Sequence, residues 1–144
     1  MLSQAERHAI LIECQAIVTA FSVYADLGEL EQCAALFTED GQFERRGEML
    51  TGRAAILAAL KARPALLRAR HHCLPPHITV RDAHTADGVT YFTIYRHLGA
   101  LPEGAAAPLT GPGSIGEFHD RFVYTPEGWR LRLRTTQVAF RQEA

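Results

Sequence analysis

Apolar residues recur at Ile10, Leu11, Cys14, Ile17, Val18, Phe21 and Ala25, the spacing of a single helix face. Ser3 and Glu6 form a capping-box pattern ahead of this stripe, and Gly28 provides a natural C-terminal stop. "ELEQCAALF" predicts a short second helix facing inward through Leu30, Cys33, Ala34 and Phe37. "TEDG" (Thr38 to Gly41) reads as a turn and "GQFERRGE" as a short strand and bend. Thr51 to Arg63 reads as a third helix, stopped by Pro64. From about residue 70 the period changes from helical to alternating, which predicts strands over roughly His71–Arg81, Val89–His97, Glu117–Tyr124 and Trp129–Phe140. Between the second and third of these, the Pro/Gly/Ala-rich segment Gly99 to Gly116 reads as a long loop. Helices first and antiparallel strands afterwards define an α+β domain, helices on one face of a sheet.

Composition narrows the function classes. The 144 residues are 47% hydrophobic and 22% charged with net charge −1, which predicts one globular domain over 1–144 and no electrostatic footprint for nucleic acid or an anionic membrane. Among 15 basic residues Lys61 is the only lysine. Cys14, Cys33 and Cys73 form an odd set without a C-x-x-C pair, as expected of reduced thiols in the cytoplasm. No window approaches 18 uninterrupted apolar residues, so neither a signal peptide nor a membrane span is expected.

The candidate chemistry centres on "RARHHCLPPHITVRD", with three histidines in seven residues. His71 and His72 are adjacent on a predicted strand and point to opposite faces, so at most one looks into an interior. They cannot converge on one ion, and no H-x-x-x-H spacing occurs, so no metal is expected. On the next strand Val89, Tyr91, Thr93, Tyr95 and His97 share a mixed aromatic and polar face, suited to a pocket or a subunit interface. On the last strand Arg130, Arg132 and Arg134 share one face, opposite Trp129, Leu131 and Leu133. That arginine face is a solvated or subunit-facing row, or a pocket wall, or is split by a bulge that turns Arg134 inward. Asp26 lies on the flank of the first helix's apolar stripe, at the helix end.

Four segments in order, "YADLGELEQCAALFTEDGQFE", "GRAAILAAL", "RHHCLPPHITV" and "GEFHDRFVYTPEGWRLRLR", resemble the SnoaL-like branch of the nuclear-transport-factor-2-like superfamily. That branch includes scytalone dehydratase, hexachlorocyclohexane dehydrochlorinase and polyketide cyclases. The resemblance implies a cone-shaped, curved antiparallel or mixed sheet wrapped around the N-terminal helices and enclosing a pocket. It further implies a catalytic Asp–His dyad, matched here by Asp26 and His72, with Arg134 and His97 at further pocket positions; the phenols of Tyr24 and Tyr95 add two candidate substrate-binding residues by their chemistry. Ala25 stands directly before Asp26, where scytalone dehydratase has a tyrosine.

A neutral imidazole, with an ordinary pKa near ~6.5, can take a proton from carbon and return it to a leaving group while a carboxylate fixes its tautomer. The implied activity is therefore cofactor-independent dehydration, elimination or cyclisation of a hydrophobic oxygenated small molecule. Two alternatives stay open: a non-catalytic ligand- or protein-binding module of the same fold, and a structural subunit resembling the β chain of ring-hydroxylating dioxygenases. Expected partners are the small-molecule substrate and a second or third copy of the chain, as a homo-oligomer.

Overall fold

The first helix begins as its sequence dictates. In the computed structural model, which describes residues 1–143, α1 spans Gln4–Leu27. The Ser3 hydroxyl accepts from the Glu6 N–H at 3.2 Å, and the Ser3 N–H donates to the Glu6 carboxylate at 2.7 Å. Gly28 closes the helix in the left-handed conformation, φ 79°, which a residue without Cβ adopts freely. The stripe Ile10, Cys14, Ile17, Val18, Phe21 and Ala25 is buried. By length and composition α1 is apolar enough to cross a bilayer, with a mean hydropathy of 1.5 over its best window. That apolar stripe, however, belongs to the central core.

The remaining elements are α2 (Leu30–Ala34), β1 (Phe37–Arg45), β2 (Glu48–Thr51), α3 (Arg53–Lys61), β3 (Leu67–Cys73), β4 (His77–Val80), β5 (Thr85–Leu98), β6 (Ser114–Thr125) and β7 (Gly128–Arg141). Six strands run in the order β2-β1-β7-β6-β5-β3, and β4 pairs with the first half of β5. Only β1 and β7 are parallel, so the sheet is mixed; it is open, and it curves around α1. The protein is α+β, as the order of its elements predicts.

Two local predictions change. The strand expected over His71–Arg81 is two strands, because Pro75 and Pro76 cannot donate to a ladder and break it after Cys73. The "TEDG" segment lies inside β1 as an irregularity: the register against β7 shifts between Phe37 and Gln42. There a Cβ on Gly41 would sit 2.9 Å from the Thr38 carbonyl oxygen, so glycine is required by contact.

Two further irregularities, both between β6 and β7, shape the concave face. One leaves Arg132 unmatched between the pairs Arg121–Leu133 and Phe122–Leu131; the other leaves Ala139 unmatched. At the second, Gly116 lets the β7 backbone approach closely. A Cβ there would collide with the Gln137 carbonyl and stand 2.9 Å from the Phe92 ring. Gly116→Ala is therefore expected to cost roughly 1–3 kcal/mol in urea denaturation, the range for overpacking against backbone. An unchanged midpoint would show that the bulge relaxes freely.

Candidate active site

Strand β3 places its side chains by simple alternation. Ala69, His71 and Cys73 turn towards α1, and Arg70 and His72 turn to solvent. The histidine that meets Asp26 is consequently His71, and the expected pairing with His72 is corrected. The Asp26 carboxylate accepts twice, from the His71 backbone N–H and from ring Nδ1, each at 2.7 Å. The two side chains are 7% and 14% exposed, so the pair is largely dry. Asp26 lies in the last turn of α1, where the helix dipole disfavours an anion, and these two donors offset that cost. Because a carboxylate only accepts, Nδ1 carries the proton and Nε2 has the free lone pair. His72 is exposed, with its ring 5.2 Å from that of Tyr95.

His71 forms part of the wall of a cavity of about 800 Å³ between α1, α3 and the concave face. Phe21, Phe43, Phe92, Ile94 and Phe118 supply apolar surface. The Phe92 and Phe118 rings stack at 4.5 Å, and each lies just over 6 Å from the His71 ring, which fixes the imidazole plane. Ser114 and Arg63 also line this space. The size and lining suit a small organic ligand. Among the described residues, no three histidine, cysteine or carboxylate side chains converge to hold a metal ion.

The profile of the SnoaL-like domain matches residues 9–135. The chain belongs to the SnoaL-like family. No curated protein matches it in sequence. Its fold is similar to that of a putative scytalone dehydratase from Novosphingobium aromaticivorans, at 18% identity over 99% of this chain and 92% of that one, with a TM-score of 0.82. It is also similar to a hexachlorocyclohexane dehydrochlorinase, at 11% identity over 97% and 92% and a TM-score of 0.80. ActVI-ORFA from Streptomyces coelicolor is a third, at 21% identity over 91% and 98% and a TM-score of 0.74. At these identities the likeness is one of fold.

Within this SnoaL-like fold, the residues expected to bind substrate lie outside the cavity wall. Strand β5 turns Thr90, Phe92 and Ile94 inward, so the face carrying Tyr91, Tyr95 and His97 is the outer one. Tyr95 and His97 instead border a separate cleft of about 130 Å³ beneath residues 107–111, where the His97 Nε2 is buried without a partner. Tyr24 packs against the main core. Arg134 is turned inward by the bulge at Arg132, one of the alternatives the sequence left open, and is fully buried. Its Nε and Nη2 donate to the two Asp120 oxygens, both at 2.7 Å, and its guanidinium lies between Phe21 and Phe118, 4.4 and 4.0 Å from their centroids. Asp120, across the strand pair from Arg134, carried no distinguishing signal in the sequence beyond its inward phase on β6.

Burial disfavours the thiolate form of all three cysteines. Desolvation pushes the Cys14 and Cys33 thiols up to about 12. Cys73 is also raised, chiefly by desolvation, against an opposing hydrogen bond with Ser22.

Proposed function

We propose that the protein is a cofactor-independent lyase or isomerase that dehydrates, eliminates from or cyclises a hydrophobic, oxygenated small molecule. His71 is the general base and Asp26 its orienting partner. The observation that carries this reading is the Asp26–His71 hydrogen bond at the wall of a cavity whose surface beside the imidazole includes Phe92, Ile94 and Phe118. In that setting Nε2 takes a proton from a substrate carbon, and the imidazolium formed is stabilised by the carboxylate behind it. The same nitrogen then delivers the proton to the departing hydroxyl, so a dehydration yields an alkene and water with the histidine restored. Ser114 and Arg63 are among the donors lining the cavity that could hold a substrate oxygen as charge develops on it.

The test is elimination from 5-nitrobenzisoxazole, a small aromatic probe that requires only a base positioned at a C–H bond. The protein is expected to accelerate ring opening above buffer catalysis, and His71→Gln to bring it back to the buffer rate with the fold intact by circular dichroism. His72→Gln is expected to retain the wild-type rate. Equal rates for wild type and His71→Gln would remove the assignment.

A further inference from the structure

Among the described residues the cavity wall contains Arg45, Arg46, Arg63, Arg96 and Arg141, and no carboxylate. These residues come from four parts of the chain: the β1–β2 turn, the end of α3, the end of β5 and the end of β7. Arg45 and Arg63 donate to the Ala59 and Ala25 carbonyls at 3.0 and 2.8 Å, so both are held in place, but neither is neutralised by these bonds. Arg46, Arg96 and Arg141 have no side-chain hydrogen bond or ion pair among the described residues. The guanidinium of Arg96 is held below its usual range first by desolvation and then by Arg46 and Arg141. Arg45 is lowered by desolvation and by Arg46 and Arg63, with only Glu48 opposing. Arg46, Arg96 and Arg141 are themselves exposed at the rim of the cavity, so solvent screens much of their mutual repulsion, and an anion held between them would relieve what remains.

Arg46 adds a second cost. With Gly47 it forms the two-residue turn of the β1–β2 hairpin, with φ 53° and 77°. Asparagine, aspartate or glycine is preferred at such positions, and arginine is strained there. Strain retained at a cavity wall calls for an explanation in function. Arg96 shares the phase of Ile94 on β5 but is exposed near the strand's end, two residues beyond Ile94, which pairs with His71 across the strands. Two residues of strand span roughly 7 Å, about the width of one or two rings.

We propose that the ligand of this cavity is an oxyanion, a carboxylate or phosphate ester. Its charged group is bound by Arg46, Arg96 and Arg141, and its apolar body reaches towards His71. This rests on the reading that the cavity beside His71 is the substrate site, and it names the substrate class for that site. Guanidinium pairs suit a planar or tetrahedral oxyanion through paired N–H donors.

Calorimetric titration with 2-naphthoate, 2-naphthyl phosphate and neutral 2-naphthalenemethanol tests it, each at low and high salt. At least one anion is expected to bind roughly tenfold more tightly than the alcohol, with the advantage shrinking as salt rises. The tighter anion distinguishes carboxylate from phosphate. Arg46→Asn together with Arg96→Met is expected to abolish that advantage, while Arg46→Asn alone leaves the melting temperature unchanged or raised, because asparagine relieves the turn. Anions binding no tighter than the alcohol, including no binding of any probe, would overturn the proposal, as would full selectivity in the double variant. His71→Gln is expected to keep the selectivity. Selectivity without elimination of 5-nitrobenzisoxazole would therefore remove the acid–base reading alone, and elimination without selectivity would remove this one alone.

Discussion

Asp26→Asn is expected to slow proton abstraction by roughly a hundred- to ten-thousandfold while the chain still folds. The reason lies in donor counting. Asp26 offers two acceptor oxygens to two N–H groups of His71, one from the backbone and one from the ring. Asparagine offers one acceptor and one donor. If its oxygen keeps the backbone N–H, its NH₂ group faces Nδ1, which must then accept. The ring proton moves to Nε2, and the nitrogen facing the cavity becomes a donor without a free lone pair. The substitution thus reverses the tautomer and leaves shape and volume nearly unchanged. Long-range proton–nitrogen NMR of the His71 ring should show the proton on Nδ1 in the wild type and on Nε2 in the variant. Elimination of 5-nitrobenzisoxazole should fall in step with that change. A variant with the inverted tautomer and wild-type elimination would separate Asp26 from catalysis.

That Asp26 pairs with His71 and not with His72 follows from the alternation of β3. Leu67, Ala69, His71 and Cys73 form the less polar phase of β3, and Arg68, Arg70 and His72 the more polar one. Period two alone favours His71; the family resemblance points to His72, and one residue on a strand is the opposite face. The same rule explains Tyr95 and His97. Their phase of β5 excludes Phe92 and Ile94, and the phase carrying those two buried side chains is the one that faces the interior. Helices and strands were readable because caps, stripes and alternation are local. The bulge that turns Arg134 inward was foreseen only as one of several alternatives, since it depends on pairing with β6. The arginine cluster was not legible at all. Arg46, Arg63, Arg96 and Arg141 are far apart in sequence, and only closure of the curved sheet over α1 and α3 brings them to one wall.

Removing one member of the buried Arg134–Asp120 pair is expected to cost about 3–5 kcal/mol. Both side chains are 0% exposed, the geometry is bidentate, and two phenyl rings hold the guanidinium plane. Asp120→Leu leaves a buried cation against apolar neighbours; Arg134→Met leaves a buried anion. In a domain of this size the loss corresponds to a fall of roughly 10–15 °C in melting temperature. The double variant, Asp120→Leu with Arg134→Met, removes both charges and fills the space with hydrocarbon, so it is expected to lose far less than the sum of the singles. A coupling above about 2 kcal/mol in a urea-denaturation cycle is the expected result, and additive losses would count against it. The pair also bears on the active site, because Phe118, which packs over Arg134, is the ring stacked on Phe92 beside His71. A double variant that recovers stability yet eliminates 5-nitrobenzisoxazole more slowly would assign the buried charges to holding the imidazole in place; full recovery of both would make them purely structural.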